Sequence, residues 1–156
     1  MEINNKLTKT RNYSILFSLA VFIVSLTQTA LTYNDFKGQA SHSSIDLFLF
    51  GGFSIFGGGL MEWLVWLANP LYLVGLFFLF RSNKKSIKFS LSATFLGLSF
   101  ITWKEILVAE NGRTAEIESL NLGYWLWVLG LIILSIGTGN YFRQLEEANK
   151  ITKEEI

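Results

Sequence analysis

The chain has 156 residues, enough for one compact unit. Of these, 51% are hydrophobic and only 16% are charged, well under the roughly one quarter usual in soluble domains. Thirteen basic against twelve acidic residues leave a net charge of +1, which excludes binding to a polyanion by bulk charge, so no nucleic-acid partner is expected. The absence of cysteine excludes disulfides, thiolate metal sites and cysteine nucleophiles.

Taken in chain order, the charged residues leave four uncharged windows: Asn12 to Asn34, Trp63 to Phe80, Phe89 to Trp103 and Asn121 to Phe142. About 20 helical residues cross a hydrocarbon core of about 30 Å. The second window reaches that length with Met61 and Glu62 at its edge. The third reaches it with Ile87, beyond Lys88, whose aliphatic stem can run along the interface. The expectation is one all-α integral membrane domain, a four-helix bundle with helices over about 12–33, 61–80, 86–103 and 122–143. Residues 144–156 then form a cytoplasmic tail that extends the last helix. The apolar core Ile15 to Leu26 also resembles a signal peptide, but Gln28 and Ala30 fit an A-x-A cleavage site badly, so an uncleaved anchor is expected.

Between the first two spans, Leu47 to Met61 carries five glycines in 15 residues, too short to cross untilted and weakened as a helix by about 1 kcal/mol per glycine. Residues 46–60 are therefore expected to be a re-entrant or interfacial segment.

Lys6, Lys9 and Arg11 precede the first span, and Arg81, Lys84, Lys85 and Lys88 crowd the connection between the second and third. Placing both groups in the cytoplasm puts both termini there too, for a chain seated in the inner, cytoplasmic membrane. The two remaining connections then lie outside. One carries Asp35, Lys37, His42 and Asp46, and the other carries Lys104, Glu105, Glu110, Arg113, Glu116 and Glu118. All five tryptophans, Trp63, Trp66, Trp103, Trp125 and Trp127, fall at this outer side, where indole serves as an interfacial anchor.

Inside the spans, Gly123, Gly130 and Gly137 form one stripe, and Ser90, Thr94 and Gly97 form another. Close contact between the two stripes is the expected seam. Asn69-Pro70 predicts a kink that frees carbonyls near Val65 and Trp66, with the Asn69 amide needing a partner. Asp46, Glu62 and Glu105, with Lys104, are the polar groups nearest the outer surface, where carboxylates bind ions, move protons or point into water. His42 in Ser41-His42-Ser43-Ser44, with Asp46 nearby, is set aside, because catalytic triads are made by geometry and seldom by neighbours in sequence. No metalloprotease, phosphate-loop or nucleophile-elbow motif occurs. No catalytic residue, cofactor or metal ligand is therefore expected.

The stretches WLVWLANPLYL (Trp63 to Leu73), WKEILVAENG (Trp103 to Gly112) and LGYWLWVLGL (Leu122 to Leu131) resemble a recurrent family of small bacterial tetraspan membrane proteins, marked by Ala-Asn-Pro, Lys-Glu-Ile and Gly-Tyr-Trp-Leu-Trp motifs. The resemblance implies that Asn69, Pro70, Lys104, Glu105, Asn111, Tyr124 and Trp127 act as one assembly, and implies no activity. Together with Asp46, Glu62, Trp63, Trp66 and Trp103 they form the candidate outer-face cluster. The expected function is binding, as an accessory or immunity-type protein that contacts the lipid bilayer and a membrane-protein partner or a second copy of itself. The alternatives are a channel or solute-permeation subunit, and a membrane-embedded enzyme acting on lipid-linked substrates.

Overall fold

A computed structural model describes residues 2–36, 38–109 and 112–154. The chain is not an all-α four-helix membrane bundle. It carries a four-stranded antiparallel sheet, and among the described residues only two helical stretches, Leu60–Phe80 and Leu122–Lys150, are long and apolar enough to cross a membrane.

Helix α1 spans Glu2–Leu26, followed by strands β1 (Thr29–Asp35) and β2 (Gly38–Ser43). Helix α2 (Ser44–Phe50) runs into a 3-10 helix, Gly51–Gly57, and then come α3 (Leu60–Trp66), α4 (Ala68–Phe80) and α5 (Lys85–Ser99). Strands β3 (Glu105–Leu107) and β4 (Thr114–Leu120) precede α6 (Leu122–Glu154). The sheet order is β2-β1-β4-β3. Thus the two connections expected outside are not loops; they pair with each other, Leu31 opposite Leu120 and Asn34 opposite Glu116.

The first predicted span, 12–33, fails because α1 stops at Leu26 and the rest of that uncharged window is strand. Missing charge marks burial, and a buried strand lacks charge as surely as a buried helix does. Leu31 in β1 is 2% exposed, and Thr29 and Thr32 supply β-branched residues suited to the pleat. The third predicted span, 86–103, is helical over nearly the same residues, as α5 and a 3-10 turn at Phe100–Thr102, but it is not one of the two stretches long and apolar enough to cross, and its first turn contains Lys85 and Lys88. The span 61–80 is matched closely by α3 and α4, which join at Leu67, and α6 carries the predicted 122–143 span through the tail as far as Glu154. The glycine-rich segment 46–60 is mostly helical until Gly58, whose φ of +87° needs a residue without a β-carbon.

The glycine stripe of α6 packs on α1, not on α5. A side chain at Gly130 would start 3.3 Å from the backbone of Ser18 and Phe22, and one at Gly137 would collide with Ser14. Ser18 is fully buried in this seam and donates to the Gly130 carbonyl at 2.8 Å. With that proton committed, Tyr72 of α4 donates to Ser18 Oγ at 2.8 Å. Ser90 instead meets Gly75 of α4, while Thr94 bonds Ser135 and Gly97 lies under Leu131 and Trp127 of α6. Two apolar clusters result. One lies among the helices around Phe22, Tyr72, Leu131 and Leu134; the other lies beneath the sheet around Leu31, Phe100, Ile106 and Tyr124.

Gly130→Leu is expected to destabilise the protein by about 1–3 kcal/mol, because the added side chain meets α1 backbone that cannot yield. Gly139→Ala, where nothing lies within 4 Å, should hold or raise the melting temperature. Thermal unfolding of the two variants in detergent checks this, and an unchanged melting temperature for Gly130→Leu would count against the α1–α6 seam.

Candidate functional site

A cavity of about 430 Å³ lies where the helices meet the sheet. Its walls come from α1 and β1 (Leu26, Leu31), β2 and α2 (His42, Ser44, Asp46, Phe48), α3 and α4 (Glu62, Val65, Trp66, Asn69), β3 (Ile106, Leu107) and α6 (Gly123, Tyr124, Trp127). The lining is mostly apolar and aromatic with a few polar groups, which is the composition of small-molecule sites.

The floor is set by Asn69. Its amide nitrogen donates to the Trp66 carbonyl at 3.1 Å, and its oxygen accepts from the Trp127 indole at 2.9 Å. The carbonyl group released by Pro70 is thereby satisfied within the same helix, and the amide is 7% exposed with both ends occupied. Trp66 in turn donates to the Phe48 carbonyl at 2.9 Å, which ties α3 to α2. Gly51 and Gly52 lie flat against the Trp66 ring: a side chain at Gly51 would begin 2.7 Å from the indole. Tyr124 reaches across to α5 and donates to the Gly97 carbonyl at 2.8 Å.

Glu62 stands in the first turn of α3 and accepts from the Leu107 backbone N–H at 2.9 Å, so α3 is bound to the sheet edge. Asp46 accepts from the Ser43 hydroxyl at 2.5 Å, while Ser43 caps α2 by accepting from the Asp46 N–H. Ser44 begins α2 with its N–H donated to the Gln28 carbonyl at 3.0 Å. Its hydroxyl is buried over Gly123 and has no hydrogen-bond partner among the described residues. The His42 ring packs 4.9 Å from the Tyr33 ring. Burial lowers the His42 pKa below its ordinary value of 6.5, against a smaller opposing pull from Asp46.

Six of the candidate residues, Asp46, Glu62, Trp66, Asn69, Tyr124 and Trp127, therefore meet at one cavity. The other candidates among the described residues do not line it. Trp63 and Pro70 lie on α3 and α4. Trp103 packs on Phe100 at 5.0 Å beneath the sheet. Lys104 uses its carbonyl to accept from the Ile117 N–H at 2.8 Å, and Glu105 accepts from the Thr114 hydroxyl at 2.7 Å. Asn111, together with Lys37 and Glu110, lies outside the described residues. The residues missed were those of β1, β2 and α2: Leu31, His42, Ser44 and Phe48. The overlong uncharged window after Leu26, with its threonines, hinted at β1, and His42 and Ser44 stood in the Ser41-His42-Ser43-Ser44 stretch that was set aside.

No protein-family model matches the chain, and comparison with curated proteins and with solved structures gives no match either.

With its pKa depressed in the folded state, His42 binds fewer protons folded than unfolded below about pH 6.5. Its contribution is therefore intact above that pH and lost as pH falls through the folded value. The melting temperature should decline from about pH 7.5 to about pH 5.5, above the carboxylate range, and His42→Gln should flatten that slope. An equal slope in the variant would assign the dependence elsewhere.

Proposed function

We propose that the protein is a binding protein seated in the bacterial inner membrane, with both termini in the cytoplasm and the sheet outside, and that its cavity takes up a small apolar or amphiphilic molecule. The cavity of about 430 Å³ between helices and sheet carries this reading. Catalysis has no comparable support.

The membrane seat is supported by Leu60–Phe80 and Leu122–Lys150, each long and apolar enough to cross. The same helical layer exposes large apolar side chains on every side: Phe17 is 60% exposed, Phe77 53%, Phe95 72% and Ile136 60%. A soluble protein rarely exposes apolar surface so continuously. The resemblance of the Trp63 to Leu73 and Leu122 to Leu131 stretches to small bacterial membrane proteins points the same way.

The two ends of the helices differ in a manner that supports the orientation. At the end remote from the sheet, Arg11 lies over Phe80 at 6.0 Å, Arg81 over Phe77 at 5.1 Å and Lys85 over Phe78 at 5.9 Å. Cations snorkelling past exposed rings suit an anionic cytoplasmic leaflet. The segments at the sheet end carry seven of the twelve acids and all five tryptophans. An accessory or immunity-type role through this outer face belongs to the same proposal, with a membrane protein or a second copy as the partner.

Since the chain has no cysteine, single cysteines report alone. In intact cells Ser119→Cys on β4 should react with an impermeant maleimide, and Lys88→Cys only after permeabilisation. The opposite pattern would overturn the orientation, and recovery of both variants in the soluble fraction would overturn the membrane seat. For the cavity, protein taken directly from membranes into nanodiscs should carry a bound small molecule by native mass spectrometry. Val65→Trp, which fills the space, should lose it while keeping its melting temperature within a few degrees. A bare wild-type protein would remove the cavity from the function.

A further inference from the structure

The charge of the cavity narrows what it can accept. Among the described residues its lining includes two carboxylates, Asp46 and Glu62, and no lysine or arginine. Among the described residues neither carboxylate forms an ion pair; the two ion pairs present join Lys84 to Glu146 and Arg113 to Asp35, away from the lining. Glu62 accepts one backbone N–H through Oε1, and Asp46 accepts one hydroxyl through Oδ2, which leaves acceptor capacity on both. An anionic head, whether carboxylate or phosphate, would meet two like charges and no cation.

A second observation is independent of the acids. The wall joins aliphatic side chains to the rings of Phe48, Trp66, Phe100, Tyr124 and Trp127, and aromatic faces attract cations in a site poor in water.

We propose that the cavity is a site for a lipophilic ammonium ion, an amine whose apolar body fills the space between helices and sheet. Its N–H groups donate to the carboxylates of Asp46 and Glu62. This rests on the binding function proposed above and gives that binding its ligand class. The cavity reaches the surface at Asp46 and Phe50, lining residues that are themselves exposed, so the amine has a route from the membrane–water boundary, where such amphiphiles collect.

Decylammonium and 1-decanol have the same chain and differ in the charged head, which makes them the probes. With the full chain in phosphatidylcholine nanodiscs, decylammonium should bind at least about tenfold more tightly than decanol, read from tryptophan fluorescence and thermal shift. Glu62→Gln and Asp46→Asn should each weaken the ammonium about tenfold and leave decanol unaffected. Decyltrimethylammonium, which has no N–H to donate to the carboxylates, should bind more weakly than decylammonium. Each variant is paired with its melting temperature without ligand, and if Glu62→Gln fails to fold, Asp46→Asn and the decanol comparison still decide. Equal affinity for decanol and decylammonium, or carboxyl variants that bind the ammonium normally, would overturn the cation assignment and leave the cavity's binding role standing. If neither probe binds, or both bind Val65→Trp unchanged, the binding role falls as well.

Discussion

The rest of the structure depends on one antiparallel pairing that changes character halfway along its length. Helix α1 packs on α6 through Gly130 and Gly137, close enough that a β-carbon at Gly130 would start 3.3 Å from the backbone of Ser18 and Phe22. Two residues after α1 ends, the same segment becomes β1; one residue before α6 begins, its partner is still β4, and β1 pairs with β4. The Asn121 N–H donates to the Ala30 carbonyl at 2.8 Å at the changeover. Side-chain packing thus hands over to a backbone ladder without the two chains separating, so the position of every other element is measured from this pair. Helix α4 is held to it by Tyr72 on Ser18, and β2 and β3 add to its outer edges.

That changeover creates the cavity. Packed helices lie about 8–10 Å apart, whereas paired strands lie only about 4.8 Å apart, so a chain passing from one arrangement to the other leaves a wedge of space beside it. Here the wedge is not filled by large side chains, because Gly123 on α6 and Ala30 on β1 are small at that level. A β-carbon at Gly123 would strike both the Ser44 hydroxyl and the Thr29 carbonyl, so the glycine allows α2 to approach and cannot enlarge without dislodging it. The floor is fixed separately. Pro70 breaks the bonding of the α3–α4 helix, and the side chain of Asn69 makes good the loss while also bonding the Trp127 indole from α6. A local defect is thereby converted into a cross-link between helices.

How much of this was legible follows from which physical signal each part emits. The spans 61–80 and 122–143 emerged with nearly correct bounds because each is a long charge-free run with its own helical continuity. The need of Asn69 for a partner could be read from Pro70, and both of its partners satisfy that need. The sheet was hidden for two reasons. Thr29 to Tyr33 is apolar on its buried face and sits directly behind an apolar helix, so charge absence alone merged the two. Strand β4, Thr114–Leu120, alternates too weakly to announce a buried face: Ala115 and Ile117 point inward between Thr114, Glu116 and Glu118. Strand pairing is set by register between distant segments, and nothing local in either segment records its partner. The cavity residues from β1, β2 and α2 were lost with the sheet that places them, while those from α3, α4 and α6 were found.

The separation of charge along the molecule now has a structural cause. Arg11, Arg81 and Lys85 gather where α1 begins and α4 meets α5, and this turn is itself held by charge and hydroxyl contacts: Ser82 takes the left-handed φ of +51°, with Arg11 and Tyr141 both donating to its hydroxyl. The acids gather at the opposite end because strands there need polar outer faces, as at Glu116 and Glu118. Glu105 lies opposite Glu116 across the β3–β4 pair. Like charges facing each other weaken a ladder, so this sheet is negatively charged at a cost to its own stability. The acids of the cavity belong to that same end, and the field they share favours cations at the one place where apolar space and carboxylates coincide. Near neutrality of the whole chain is therefore the sum of two oppositely charged ends, held about one helix length apart by the α1–α6 pair.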